Sequence, residues 1–331
     1  MTERARRWRG PLKAVAAVAV LAALGWQIRQ LLHDWTQHGG SIGNFRPSLL
    51  WLVASAAAYV AAQFGFGAFW RVLLRVLRVD PPRWELFRAF CVGTLGKYIP
   101  GKAMVLVMRT GMISRGDAGR FPVALSVFFE TTTEMLVGCI VACLCLLLVV
   151  PGAWMFWGGA GATAIVVAVG LSPPLFTRAA QLASLPFSAM SVSSDTVKSW
   201  FRSLRRPAIL FSVTGWLLFG ASFWAVMMAL GAPCASLFDF TFLTGVTALA
   251  VAGGFLFFFL PSGIGIRELI IIHLLAPRYG QSQAVIASLI LRTVWTVAET
   301  LLAGVLYWRN PMGRRLAVVS PSDETRQSLT A

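Results

Sequence analysis

Apolar runs long enough to cross a bilayer alternate along this chain with short connections rich in arginine. About 20 apolar residues span a hydrocarbon core of roughly 30 Å. Six runs meet that length, at roughly 12–32, 49–74, 122–150, 152–171, 208–231 and 283–307. Two further apolar stretches, roughly 86–108 and 240–276, are interrupted by Tyr98-Ile99-Pro100-Gly101-Lys102 and by Leu260-Pro261-Ser262-Gly263-Ile264-Gly265. Proline removes a backbone donor, and irregular backbone at membrane depth needs protein or a cavity around it, so these breaks predict re-entrant hairpins rather than spans. The expected fold is an all-α polytopic membrane protein of about six transmembrane helices plus two Pro/Gly-broken re-entrant hairpins.

The basic residues set the orientation. Arg4, Arg6, Arg7, Arg9 and Lys13 precede the first run, and Arg71, Arg75, Arg78, Arg83 and Arg88 follow the second, which places both groups in the cytoplasm. The connection 34–47 carries one arginine and 232–239 carries no basic residue, which suits the opposite side. Six spans then leave both termini inside, and Arg309, Arg314 and Arg315 after the last run agree. The expected location is the cytoplasmic (inner) membrane. A cleaved signal peptide is the competing reading of the first run. Val197, Trp200, Phe201 and Leu204 recur at helical spacing with Lys198, Arg202 and Arg205 opposite them, so the loop 172–207 is expected to hold a short helix lying on the cytoplasmic leaflet. Residues 1–11 read as a basic cytoplasmic N-terminus, 12–310 as one membrane domain, and 311–331 as a polar, disordered cytoplasmic tail.

Composition agrees with lipid as the solvent. Only 13% of the 331 residues are charged, against roughly 25% in soluble domains. The net charge of +16 follows the positive-inside pattern, with no nucleic-acid module. Cys139, Cys143 and Cys145 share one apolar run while Cys91 and Cys234 stand apart, which gives neither a disulfide framework nor zinc spacing. His33, His38 and His273 lack ligand spacing, so neither metal nor cofactor is expected.

With sidedness set, the order span, broken hairpin, span with acidic residues occurs twice, in opposite orientations, over 49–150 and 208–307. Glu134-Met135-Leu136-Val137-Gly138 resembles Glu299-Thr300-Leu301-Leu302-Ala303-Gly304, and the two breaks match in kind. Inverted repeats with broken helices near the midplane are a construction many secondary transporters use. A cluster of nine ionisable residues lies in and beside these runs, where a charge costs at least about 2.5–3.5 kcal/mol and signals function by default. Glu130 and Glu134 share a helical face, roughly 12 and 18 Å from the start of their span. Arg292, Thr296 and Glu299 share another. Lys97, Lys102 and Arg109 flank the first break, while Arg267 and Glu268 follow the second. The five cations, Lys97, Lys102, Arg109, Arg267 and Arg292, suit an anionic headgroup. Glu130, Glu134, Glu268 and Glu299 suit either charge pairing or proton uptake. Pro100, Gly101, Pro261, Gly263 and Gly265 are the expected helix breaks. The bland alternative is that the charges neutralise one another and hold the bundle together.

The two breaks also carry a resemblance. Leu95-Gly96-Lys97-Tyr98-Ile99-Pro100-Gly101-Lys102 with Arg109, and Phe259-Leu260-Pro261-Ser262-Gly263-Ile264-Gly265-Ile266-Arg267-Glu268, resemble the signatures of the lysylphosphatidylglycerol synthase transmembrane-region (flippase-like) family. Ser262 stands where that pattern has glycine. The resemblance covers roughly 12–310. It implies the membrane flippase half of the multiple peptide resistance factor without the aminoacyl-transferase domain, and so a protein that moves an envelope lipid without aminoacylating it. The leading expectation is a translocase for an anionic phospholipid or polyprenyl-linked lipid. A scaffold for a separately encoded synthase is the first alternative. An intramembrane lipid-modifying enzyme with Glu130 or Glu134 as general base is the second, although no nucleophile stands at recognisable spacing.

Overall fold

Lipid offers no water to the backbone, so a chain this apolar satisfies its amides internally, as helices. The computed structural model describes residues 47–99, 103–113, 120–149, 194–256, 263 and 265–308, with backbone alone for 194–202 and 205. Among them run α1 (Leu49–Val76), α2 (Arg83–Thr94), a 3-10 turn (Leu95–Tyr98), α3 (Ala103–Ile113), α4 (Arg120–Val149), α5 (Ser194–Ala229), α6 (Leu237–Leu256), α7 (Ile266–Tyr279) and α8 (Gln281–Trp308). No strand occurs among the described residues. The runs expected at 12–32 and 152–171, the residues Pro100, Gly101, Lys102 and Pro261, and the tail 311–331 lie outside the described residues.

Five stretches are long and apolar enough to cross a membrane: Leu49–Val76, Arg120–Val149, Arg206–Ala229, Leu237–Phe255 and Gln281–Trp308. The protein is a multi-pass membrane protein. Four of the five match expected spans. The fifth, α6, was expected as one arm of a hairpin, but its 20 residues rise about 30 Å, a full hydrocarbon core. The break that follows shortens only the second arm, α7, to 14 residues. In the first hairpin both arms are short, 12 residues in α2 and 11 in α3. The helix expected on the leaflet is not separate either: 194–205 runs through Pro207 into the span as one helix of 36 residues. Proline there removes one N–H from the ladder, and its fixed φ is compatible with a helix.

At the centre α1 packs along α5. Small polar residues let the two backbones approach. The Ser55 and Ser222 hydroxyls are 2.8 Å apart at the crossing, and the Tyr59 ring stacks on Phe219 at 5.3 Å. The opposite face of α1, with Leu49, Leu50 and Val53, is exposed for lipid.

When α1 is exchanged with α5, α2 with α6, α3 with α7 and α4 with α8, the packing pattern maps onto itself. The α4–α6 contact becomes α8–α2, α2–α3 becomes α6–α7, α3–α4 becomes α7–α8, and α4–α5 becomes α8–α1. The remaining described helix pairs, α5–α6 with α1–α2 and α1–α4 with α5–α8, follow the same rule.

Candidate functional site

Each break is shaped locally before any charge is placed. Ile99 is extended (φ −90°, ψ 134°), as a residue preceding proline tends to be. After the second break, Gly263 and Gly265 take φ of +68° and +87°, left-handed values that a side chain would strain. The Glu268 carboxylate accepts the N–H of Gly265 at 2.7 Å and so closes the first turn of α7.

A second pair of glycines, not singled out from the sequence, sets where two arginines lie. Gly93 and Gly254 each stand seven residues before the proline of their break. A Cβ on Gly93 would overlap the Arg109 side chain, and one on Gly254 would sit 2.6 Å from Arg267 Cγ. In both halves the arginine after the break folds into the groove left by the glycine before it. The spacing Gly-x6-Pro, repeated in both stretches, is the sequence signal for this.

Gly→Ala inside a helix ordinarily stabilises by roughly 1 kcal/mol, and Gly304 has open space around it. Gly304→Ala is therefore expected to raise the melting temperature in detergent and Gly93→Ala to lower it. If Gly93→Ala stabilises as much as Gly304→Ala, Arg109 does not depend on that groove.

Between the halves lies a cavity of about 530 Å³, lined from all eight helices and from the turn. Of the expected site residues, Lys97, Arg109, Glu130, Glu134 and Arg267 line it. Arg109 is buried, with Nη1 2.8 Å from Glu130 and Nη2 donating to the Thr94 hydroxyl at 3.1 Å. Its guanidinium lies over Phe90 at 4.0 Å and Trp70 at 5.3 Å. This pair joins α3 to α4. The equivalent joint in the other half, between α7 and α8, is the Glu268–Arg292 ion pair, with the polarity of the charges reversed.

A third ion pair crosses between the halves. Lys97, in the turn after α2, bonds Glu299 of α8. Two tyrosines that sequence reasoning passed over complete the arrangement. Tyr59 donates to Glu299, and Tyr98 donates to the other oxygen of that carboxylate at 2.9 Å. Gln63 in turn donates to the Tyr59 hydroxyl at 2.5 Å. A lone tyrosine and glutamine in the apolar run of α1 were the available signal. Thr296, on the expected face with Arg292 and Glu299, lies 3.2 Å from the Tyr98 hydroxyl.

Two charged residues on the cavity wall stand apart from these pairs. Arg267 has no carboxylate partner among the described residues; its guanidinium lies 5.0 Å over the Trp295 ring, which itself stacks on Tyr59 at 4.7 Å. Glu134 has neither an ion pair nor a side-chain hydrogen bond among the described residues. The Trp216 indole donates to its backbone carbonyl at 3.0 Å, not to its carboxylate.

A family model, the lysylphosphatidylglycerol synthase TM region, matches residues 13–303. The chain belongs to this family. No curated protein matches the chain. Membership of the lysylphosphatidylglycerol synthase TM-region family makes this a membrane protein of a lipid-synthesis and flippase-like group. The matched span contains both breaks, all three ion pairs and the cavity between the halves. Among the described residues no cluster of His, Cys, Asp and Glu could hold a metal ion.

Proposed function

We propose that the protein is a lipid translocase of the cytoplasmic membrane, both termini cytoplasmic, that passes a phosphate-bearing headgroup between leaflets through the central cavity. Anionic phospholipids and polyprenyl-linked lipids both carry such a group. The observation that carries this reading is Arg267: a guanidinium facing a cavity in the membrane, and in no ion pair among the described residues, suits the forked binding of phosphate oxygens. The exchange symmetry of the packing supports two inverted halves that rock against each other about α1 and α5. Arg109 and Arg292, expected as headgroup ligands, are engaged by Glu130 and Glu268, and their role on this reading is to hold each short helix to the long one after it.

The test is movement of fluorescently tagged phosphatidylglycerol in proteoliposomes. A hydrogen bond to a charged group contributes about 1.5–3 kcal/mol, so Arg267→Gln is expected to slow translocation by roughly tenfold or more. Its melting temperature should hardly change, because no ion pair is lost. Wild-type rates in Arg267→Gln would remove the headgroup role.

One observation favours the scaffold alternative: six of the nine intramembrane ionisable residues are paired with one another. Co-purification of a stoichiometric synthase, with transport absent, would favour it.

A further inference from the structure

Four carboxylates were candidates for charge pairing or proton uptake, and three of them have a basic partner: Glu130 with Arg109, Glu268 with Arg292, and Glu299 with Lys97. Glu134 is the fourth. It lines the cavity one helical turn from Glu130, on the helix that packs against α6 of the other half. In the sequence the counterpart of Lys97, which stands three residues before Pro100, is Phe258, three before Pro261, so the second break carries no basic residue at that position.

The charged and titratable groups facing Glu134 are few. Glu130 lies on its own helix, while Arg109 of α3 and Lys97 of the turn are the cations among the described residues that act on it. Both cations already have their carboxylates. From α1 come Tyr59 and Gln63, from α7 Arg267, and from α5 the Trp216 indole, whose N–H is taken by the main chain. The cavity wall from α6 is Val251, Gly254 and Phe255, with nothing to titrate. Arg267 does not act on Glu134 across the cavity, so no countercharge for it remains among the described residues. A metal cation needs a shell of several oxygens, and no group of carboxylates or imidazoles among the described residues provides one. A proton needs only the carboxylate.

We infer that Glu134 is the proton-binding site that couples lipid movement to the transmembrane proton gradient; this rests on the translocase reading. One proton joins a Glu134 carboxylate oxygen from one side of the membrane and leaves to the other, with no other bond made or broken. An unpaired carboxylate in a membrane cavity loses its charge this way instead of holding it in low dielectric.

Two measurements on the full chain test this. In infrared spectra at neutral pH the wild type is expected to show a protonated-carboxyl band that Glu134→Gln lacks and Lys97→Gln retains. In proteoliposomes with the membrane potential clamped, tagged phosphatidylglycerol is expected to redistribute between leaflets by up to about tenfold per unit of imposed pH gradient, for one proton per lipid. A trapped pH dye should report matching proton flux, and Glu134→Gln should lose both responses. Wild-type lipid movement indifferent to the gradient, or a gradient response kept in Glu134→Gln, overturns the coupling role and leaves the translocase standing. If tagged lipid fails to move in the wild type, the translocase reading falls, and the infrared band alone decides whether Glu134 holds a proton; its absence overturns that too.

Discussion

Glu130→Ala is expected to destabilise the protein by about 3–5 kcal/mol, the usual cost of removing one partner from a buried ion pair. Glu130 is 1% exposed and Arg109 is 4% exposed, so water cannot replace the lost carboxylate. The guanidinium would remain between Phe90 and Trp70 with Thr94 as its one hydrogen-bonding neighbour among the described residues. Arg109→Ala is expected to cost a similar amount. Replacing both, as Arg109→Met with Glu130→Gln, should recover most of the loss, because the penalty arises from the orphaned charge and not from absence of the pair. Thermal unfolding in detergent, read with size-exclusion profiles, checks all three. Single variants as stable as the wild type would show that the pair does not hold α3 against α4.

The second large effect is expected at the contact between the halves. Lys97→Glu places two carboxylates side by side beneath the Tyr59 and Tyr98 hydroxyls, a like-charge contact that costs several kcal/mol. Lipid translocation is expected to fall by roughly a hundredfold or more, an effect of about 3 kcal/mol. Exchanging the charges, Lys97→Glu with Glu299→Lys, should return part of the activity, since the pair is restored while the tyrosines lose their acceptor. Lys97→Ala should be milder for folding, because both tyrosines still donate to Glu299. Translocation unchanged in Lys97→Glu would mean that the two halves do not move against each other at this point.

Much of the architecture was legible because bilayer thickness acts as a ruler. The apolar runs that became α1, α4 and α8 have nearly the expected limits, and the span within α5 does too. The misjudged element was α6: a ruler counts residues, and the Pro/Gly break after Leu256 drew 240–276 together as one interrupted stretch although its first part was already long enough. Helical spacing correctly put Glu130 and Glu134 on one face, and both line the cavity. It could not show that Arg109, 21 residues earlier, would take one and leave the other. Such pairing depends on how α3 folds back onto α4, which the Gly93 groove and the break decide together. Lys97 and Glu299, 202 residues apart, meet only because the halves interlock. Periodicity within one helix carries no information about that.

Phe128 lines the cavity and is 48% exposed. The cavity is thus not sealed beside Glu130, and on the proposed function that opening is where the headgroup's lipid tail leaves the protein. A headgroup held within has its glycerol close to the bilayer, and its tails need no room in the protein. On the proposed function, lipids that share a headgroup should compete equally whether their chains are short or long, saturated or branched. The organism can then retune the fluidity of its membrane with season or temperature without retuning this protein.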